Sequence, residues 1–157
     1  MKALTLTQPW ASLMALQQKR IETRSWYTGY RGELVIHAAK GFPAWAKELC
    51  SEREFAIALG GRTAAQLPLS LGLCVVRLLA CIRTEELHKA EAVLGYKPDA
   101  REIEFGDYGE GRFAWLTEYI CPLTGCDAVK GSLGLWEWPE SDKELAEDAL
   151  LQGRANV

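Results

Sequence analysis

The stretch LTLTQPWASLMALQQKRIETRSW, residues 4–26, decides the fold because its hydrophobic period changes twice. The apolar start predicts a short strand. Pro9 suits the first position of the helix that follows, and Thr7 or Gln8 is the expected cap. The segment KRIETRSW then alternates, so Glu22 and Arg24 share one face and the apolar side chains share the other. The stretch therefore predicts strand, helix and strand, with charged side chains on one side of the second strand.

The rest of the chain predicts further strands with few helices between them. Apolar runs predict three more strands, within residues 29–39, 71–82 and 113–123. The last ordered stretch before the C-terminal region is expected over residues 130–139. One helix is expected over residues 42–60, with Trp45 on its apolar stripe. Another is expected over residues 84–95, with Thr84 as its cap.

Short strands with irregular turns and few helices are typical of a small barrel rather than of a doubly wound sheet. We therefore predict an α+β fold, a small mixed β-barrel with flanking helices. Residues 1–140 are expected to form this domain. Residues 141–157 are expected to form an acidic C-terminal helix or tail that frays.

The composition is ordinary for a globular protein: 157 residues, 48% hydrophobic and 25% charged. A chain of this length is expected to form one compact domain. No apolar run approaches the roughly 18 residues of a membrane span. Gln8 and Pro9 interrupt the start of the chain before the apolar core of a signal peptide develops. We therefore expect a cytoplasmic protein without a membrane partner.

The net charge of −3 is unevenly distributed along the chain. Residues 1–47 carry a net charge of +5, whereas residues 85–157 carry −9. A basic N-terminal third on an acidic protein is not the pattern of a general DNA-coating protein. The pattern is compatible with a local cleft for anions, although a chance uneven distribution would give the same numbers.

The five cysteines, at positions 50, 74, 81, 121 and 126, show no framework spacing. Cys121 and Cys126 have a spacing that zinc can use, but no second cysteine pair exists, and His37 and His88 are the two histidines that remain. We therefore expect no metal site and no disulfide. The glycine patterns of dinucleotide and phosphate loops are absent as well, so no cofactor is expected.

Three segments carry a wider pattern: LTQPWASLMALQQKRIETRSWYTGYRGELVIHAAKG, FGDYGEGRFAWL and VKGSLGLWEW. Together they resemble the ASCH domain family of the PUA-like barrel superfamily, over about residues 3–138. The most specific element is the run G-x-K-x-x-E-x-R, which corresponds here to Gln17, Lys19, Glu22 and Arg24. The resemblance implies a barrel of five to six strands, with a cleft beside the first helix that binds RNA or a modified nucleoside.

Two positions differ from the family pattern. Gln17 stands where the usual residue is glycine, so the turn after the first helix is expected to differ. Family members that hydrolyse N4-acetylcytidine are similar in having a threonine three residues after the lysine, where this chain has Glu22. A hydrolytic activity is therefore less strongly implied than binding.

The charged run supplies the main candidate side chains. Arg24 would donate two parallel hydrogen bonds to a phosphate or carboxylate, and Glu22 would accept from a base edge. Neighbouring arginines would prepare Lys19 to act as a base or nucleophile. The alternative is a surface cluster of ion pairs that contributes little to stability.

Further ligand contacts are predicted for an amide, two aromatic and three cationic side chains: Gln8, Trp10, Trp26, Arg31, Lys40 and Lys130. Helix capping is the alternative for the amide, core packing for the aromatic rings and solvation for the cations. His37 is expected to be a buried structural histidine. Trp136 and Trp138 are expected to close the core, and Asp107 and Arg112 to pair within a loop.

Three functions remain open at this point. The first is the binding of RNA, or other single-stranded nucleic acid, or a small nucleoside, in a cleft with Lys19, Glu22 and Arg24. The second is hydrolysis of N4-acetylcytidine or RNA, with Lys19 as base or nucleophile and Glu22 as proton acceptor. The third is a protein-interaction module that uses the acidic C-terminal region.

Overall fold

The computed structural model describes the backbone of residues 1–155 and the side chains of residues 1–153. Within residues 1–155, six strands form one sheet: β1 (Lys2–Leu6), β2 (Ile21–Arg24), β3 (Gly32–Ala38), β4 (Gly72–Arg83), β5 (Phe113–Pro122) and β6 (Leu135–Glu137). Their order is β2-β5-β4-β3-β1-β6, with β1 parallel to β3 and the other neighbours antiparallel. The sheet curls into a half-barrel, which confirms the predicted α+β barrel architecture.

Over the described residues, six α-helices flank the sheet: α1 (Trp10–Ala15), α2 (Ala44–Leu49), α3 (Arg53–Ala58), α4 (Ala90–Leu94), α5 (Ala100–Glu104) and α6 (Glu140–Ala155). Short 3₁₀ segments occupy Ala64–Gln66 and Thr84–Lys89. The predicted succession of strand, helix and strand over residues 4–26 is confirmed by β1, α1 and β2.

The two faces of the sheet bury different side chains because strand residues alternate. On one face, Leu4 and Leu6 of β1 pack in a cluster with Met14 of α1. On the other face, Ala3 packs in a cluster with Trp138 and residues of α6. The helix α1 therefore covers one side of the sheet, and the C-terminal region covers the other.

The C-terminal helix α6 buries Ala146 and Leu150 in the second cluster. Trp138, just ahead of it, is almost fully buried, which confirms its predicted role in the core. The predicted boundary between the domain (residues 1–140) and the C-terminal segment (residues 141–157) stays a prediction. The predicted fraying of the tail also concerns residues 156 and 157, which lie outside the described residues.

Three predictions about local structure were wrong. The single helix expected over residues 42–60 is two helices, because the backbone is extended at Glu52; the break lets both Cys50 and Phe55 enter one apolar cluster. Thr84 does not cap a helix, since its hydroxyl donates to the carbonyl of Gly109 at 2.8 Å.

The helix α5 has no counterpart among the predicted elements. The third error concerns Trp45: the expected helix has this residue on its apolar stripe, yet its side chain is 59% exposed.

Candidate functional site

The edge strand β2 positions the motif side chains. It pairs with β5, so that Ile21 lies opposite Leu116 and Thr23 opposite Ala114. Ile21 and Thr23 are buried, whereas Glu22 and Arg24 are half-buried on the opposite face. The period-two pattern of the sequence therefore predicted the facing of these side chains correctly.

A chain of ion pairs joins the three motif residues. The Nζ atom of Lys19 lies 3.5 Å from Oε2 of Glu22, and Oε1 of Glu22 lies 3.1 Å from Nε of Arg24. Nη2 of Arg24 also donates to the carbonyl of Thr5 at 3.0 Å. Glu22 and Thr5 thus hold the guanidinium at two points, which fixes its orientation before any ligand arrives.

Lys19 lies beneath this surface. It is 2% exposed, and its ammonium donates to the carbonyl of Ile21. Glu22 is therefore the group that connects Lys19 with the cleft.

The turn that leads into β2 has the left-handed backbone that a glycine would supply. Gln17 has a φ of 59°, so a residue with a side chain takes the left-handed conformation that glycine adopts without strain. Hydrogen bonds hold the turn: the backbone N–H groups of Gln18 and Lys19 donate to the carbonyl of Leu13 at 2.9 and 3.2 Å. These contacts carry the chain from α1 directly to the buried Lys19.

A large cavity lies on one side of Arg24. Its volume is about 1080 Å³, and its cationic lining residues are Arg24, Lys40 and Lys130. Thr5, Ser70 and the loop Ala128–Gly134 complete the wall. We call this space the cationic cavity, and it brings together three side chains that are distant in sequence.

His37 holds the loop that forms this wall. Its Nε2–H donates to the carbonyl of Val129 at 3.0 Å, and its Nδ1 lies 3.2 Å from the hydroxyl of Thr5. The ring is fully buried, and this burial lowers the pKa of His37. The histidine is therefore a structural residue, as predicted, and it positions the backbone next to Lys130.

An aromatic compartment lies on the other side of Arg24. Two small cavities of about 300 and 290 Å³ share four lining residues: Trp10, Glu22, Thr23 and Trp45. Trp26 and Arg112 also line the first of them. Arg24 and Thr5 line both this compartment and the cationic cavity, so the two spaces meet at the guanidinium.

Two predicted ligand residues lie elsewhere. Gln8 is fully buried; its Nε2 donates to the carbonyl of Pro68 at 2.8 Å, and its Oε1 accepts from the backbone N–H of Ser12 at 3.0 Å. Gln8 thus supports the first turn of α1, which begins at Trp10. Arg31 donates to the carbonyls of Thr28 and Tyr30, and it is not among the described residues that line either space.

The loop pair predicted outside the motif is confirmed. Nε of Arg112 lies 3.3 Å from the carboxylate of Asp107. Trp26 packs edge-to-face on Trp115, with ring centroids 4.7 Å apart, so it has both a packing role and a place in the compartment wall.

Sequence reasoning missed Glu102, which anchors the start of β2. Its carboxylate accepts from the backbone N–H groups of Arg20 at 3.0 Å and Ile21 at 2.9 Å. Asp99 caps the same helix by accepting from the backbone N–H of Glu102 at 2.8 Å. The signal was present, because an acidic residue followed three positions later by glutamate is typical of a helix start.

Burial dominates the electrostatics behind β2. It raises the pKa of Glu102, and the nearby ammonium of Lys19 opposes this shift. Burial also raises the pKa of Tyr108, and the carboxylates of Glu102 and Glu22 raise it further. Glu102 and Tyr108 are thus desolvated titratable side chains behind β2, and Lys19 lies close enough to Glu102 to affect its pKa.

Within the described residues, no group of His, Cys, Asp and Glu side chains comes together in a way that would hold a metal ion. The five cysteines are free thiols. No helix in the part of the chain that the structure covers has the length and apolar character needed to cross a membrane.

The family of the chain can be identified by comparing its sequence with models of known protein families. A sequence model of the ASCH domain matches residues 4–117, and the chain therefore belongs to the ASCH domain family. This family is generally associated with RNA.

Three individual proteins are similar to the chain. Activating signal cointegrator 1 of Homo sapiens and that of Mus musculus are each 51% identical over 41 residues. The match covers 26% of this chain and 7% of each relative, so the chain spans a small part of their length. A crystal structure of ASCH from Zymomonas mobilis aligns with 94% of this chain and 93% of its own, with a TM-score of 0.48 and 10% identity.

Proposed function

We propose that this protein binds single-stranded RNA, or a small nucleoside, in the cleft around Arg24. The observation that carries the proposal is the position of Arg24 where the cationic cavity meets the aromatic compartment. RNA-binding sites combine cations for the phosphates with aromatic rings for unstacked bases. The family's general association with RNA supports the same function.

Arg24 is prepared to bind an anion. Its Nη2 donates one hydrogen bond to the carbonyl of Thr5, and its Nε is buried in an ion pair with Glu22 that is not a hydrogen bond, so the guanidinium keeps N–H donors on Nη1 and Nη2 for a ligand. A guanidinium held in one orientation loses less entropy when it binds a phosphate than a mobile side chain does. Lys40 and Lys130 add charge to the same cavity, in a protein whose net charge is negative.

The matched test replaces Arg24 and, as a control, the exposed Lys97, which lines neither the cationic cavity nor the aromatic compartment. Arg24→Ala is expected to weaken binding of a labelled single-stranded RNA oligomer about tenfold or more, because charge-assisted hydrogen bonds contribute about 1.5–3 kcal/mol each. Lys97→Ala should bind within about twofold of the intact protein, since it removes one solvated charge. Fluorescence anisotropy measures both. Equal losses in the two variants, or no binding by the intact protein, would contradict the proposal.

Hydrolysis of N4-acetylcytidine or RNA is the second candidate, favoured by the ion pair that joins Lys19 to Glu22, a residue of the cleft lining. In that mechanism Lys19 is the base or nucleophile and Glu22 the proton acceptor. The burial of Lys19 beneath Glu22 supports binding over hydrolysis. Incubation with both substrates separates the two candidates, and turnover that persists in Lys19→Ala would rule out this role for the lysine.

The third candidate, protein interaction through the acidic C-terminal region, is harder to test by deletion. Removal of residues 141–157 would take Ala146 and Leu150 out of an apolar cluster. A loss of partner binding in that variant would therefore reflect stability as much as recognition.

A further inference from the structure

The aromatic compartment contains a tryptophan that is largely exposed to solvent. Trp45 is 59% exposed, and its ring lies 5.8 Å from that of Trp10 at an angle of 48°. Trp10 is fixed from behind by Phe55, edge-to-face at 6.4 Å. A large ring held beside a fixed one, with much of its surface in solvent, is the kind of platform on which nucleobases stack.

The dimensions suit a single base. The two cavities that share Trp10, Glu22, Thr23 and Trp45 have volumes of about 300 and 290 Å³. Small-molecule pockets occupy roughly 300–1,000 Å³, so this compartment lies at the small end of that range. The cationic cavity, at about 1080 Å³, has room for the rest of a nucleotide chain.

Charge divides the cleft into two parts. Glu22, Glu104 and Asp107 line the aromatic compartment together with Arg112, which is paired with Asp107. Arg24 lies at the border of the two spaces, and Lys40 and Lys130 line the cationic cavity only. Carboxylates repel phosphate and accept hydrogen bonds from N–H groups. The aromatic end therefore favours a base that presents donors, and the cationic end favours the phosphates.

Guanine is the base whose Watson–Crick edge carries two adjacent donors, N1–H and the N2 amino group. Each carboxylate oxygen has two acceptor sites. The contacts of Glu22 with Lys19 and Arg24 therefore leave acceptor capacity on both of its oxygens. Uracil presents one N–H between two carbonyl oxygens, and those oxygens would face the acidic wall.

We propose that the compartment formed by Trp10, Trp45 and Glu22 is a nucleobase subsite that prefers guanine. The base stacks on Trp45, its donor edge faces Glu22, and its phosphate lies at Arg24. This inference rests on the proposed function and adds to it the identity of the base and a new ligand residue, Trp45.

The first measurement compares labelled RNA pentamers UUGUU and UUUUU by fluorescence anisotropy. The intact protein is expected to bind the guanine-containing pentamer several-fold more tightly. Trp45→Ala should weaken that binding about tenfold, within the range found when one base stack is removed. Trp45→Phe should retain most of the affinity. Tyr27→Ala is the matched control, because Tyr27 is 57% exposed and lies outside the lining of the compartment; it should bind like the intact protein.

The second measurement uses Glu22→Gln, whose folding is checked by its thermal unfolding curve. This variant should bind the two pentamers with nearly equal affinity, because an amide has one acceptor atom where the carboxylate has two. Equal binding of both pentamers by the intact protein, or unchanged binding by Trp45→Ala, would overturn the subsite. If Arg24→Ala still weakens binding in that case, the proposed function stands. No RNA binding by the intact protein would overturn both.

Discussion

Gln17 shows how a single residue sets the direction of the chain into the site. Its φ of 59° lies in the left-handed region, which costs a side-chain-bearing residue about 1–2 kcal/mol. Its side chain is exposed, so no packing within the core offsets that cost. The turn is stabilised because the backbone N–H groups of Gln18 and Lys19 donate to the carbonyl of Leu13. It also directs the chain so that the side chain of Lys19 is buried.

We expect Gln17→Gly to stabilise the protein by about 1 kcal/mol, because glycine adopts this backbone conformation without steric cost. Urea unfolding followed by tryptophan fluorescence measures the change. The control is Gln18→Gly. Gln18 does not have a positive φ, so glycine there should lower the free energy of unfolding. A gain of the same size at both positions would show that the strain at Gln17 is not the cause.

At the scale of elements, α5 secures the edge strand that carries the motif. The helix has five residues, and its contribution is the buried carboxylate of Glu102, which accepts from the backbone of Arg20 and Ile21. These donors lie at the start of β2: Ile21 is the first residue of the ladder with β5, and Arg20 precedes it. The position of Glu22 and Arg24 therefore depends on a helix that lies about 80 residues later in the chain.

Glu102→Gln tests this contact through pH. Burial raises the pKa of Glu102 above its ordinary value of 4.5. An acid with a higher pKa in the folded chain than in the unfolded chain favours folding below the unfolded pKa, and this contribution is lost as pH rises through the folded pKa. The free energy of unfolding of the intact protein should therefore fall relative to that of Glu102→Gln as pH increases from about 4.5.

Urea unfolding of both proteins at several pH values from about 4.5 upwards measures this difference. Glu104→Gln removes an exposed carboxyl from the same helix and serves as the control. Parallel curves for the intact protein and Glu102→Gln would contradict the prediction. Glu102→Ala should destabilise the protein at all these pH values, by about 1–3 kcal/mol for each buried donor left unpaired.

Most elements were predictable because they follow from local patterns. The runs that form β3, β4 and β5 are apolar, and their ends coincide with turn residues. The prediction of one helix over residues 42–60 was wrong because packing determines the break at Glu52. The break brings Cys50 and Phe55 into one apolar cluster. The exposure of Trp45 was missed for the same reason, because the stripe it was assigned to belongs to an uninterrupted helix.

At the scale of the whole molecule, the fold gathers cationic side chains from distant parts of the sequence around one cavity. The basic N-terminal third supplies Arg24 and Lys40, and the loop after β5 supplies Lys130. Acidic residues are concentrated in the second half of the chain. The cleft is therefore a cationic region on a protein of net negative charge, which favours a specific anionic ligand over general adsorption.

This arrangement predicts the salt dependence of RNA binding. If three cations neutralise three phosphates, the logarithm of the association constant should fall with the logarithm of salt concentration with a slope of about −2, since single strands give roughly −0.7 per phosphate. Titrations between about 50 and 200 mM salt measure the slope. Arg24→Ala should reduce its magnitude by about 0.7. A slope near zero would mean that the cationic cavity does not bind phosphate.

The sequence by itself determined the alternation that places Glu22 and Arg24 on one face, because that alternation is a property of the extended backbone. The family also follows from sequence, since the motif run is contiguous. The tertiary structure decided that Lys40 and Lys130 share a cavity with Arg24, that Trp45 and Glu22 line the same small cavities, and that Lys19 is buried. These relations depend on the order of strands in the sheet and on the packing of loops and helices against it. Contacts between distant segments of the chain create them, and no local pattern encodes such contacts.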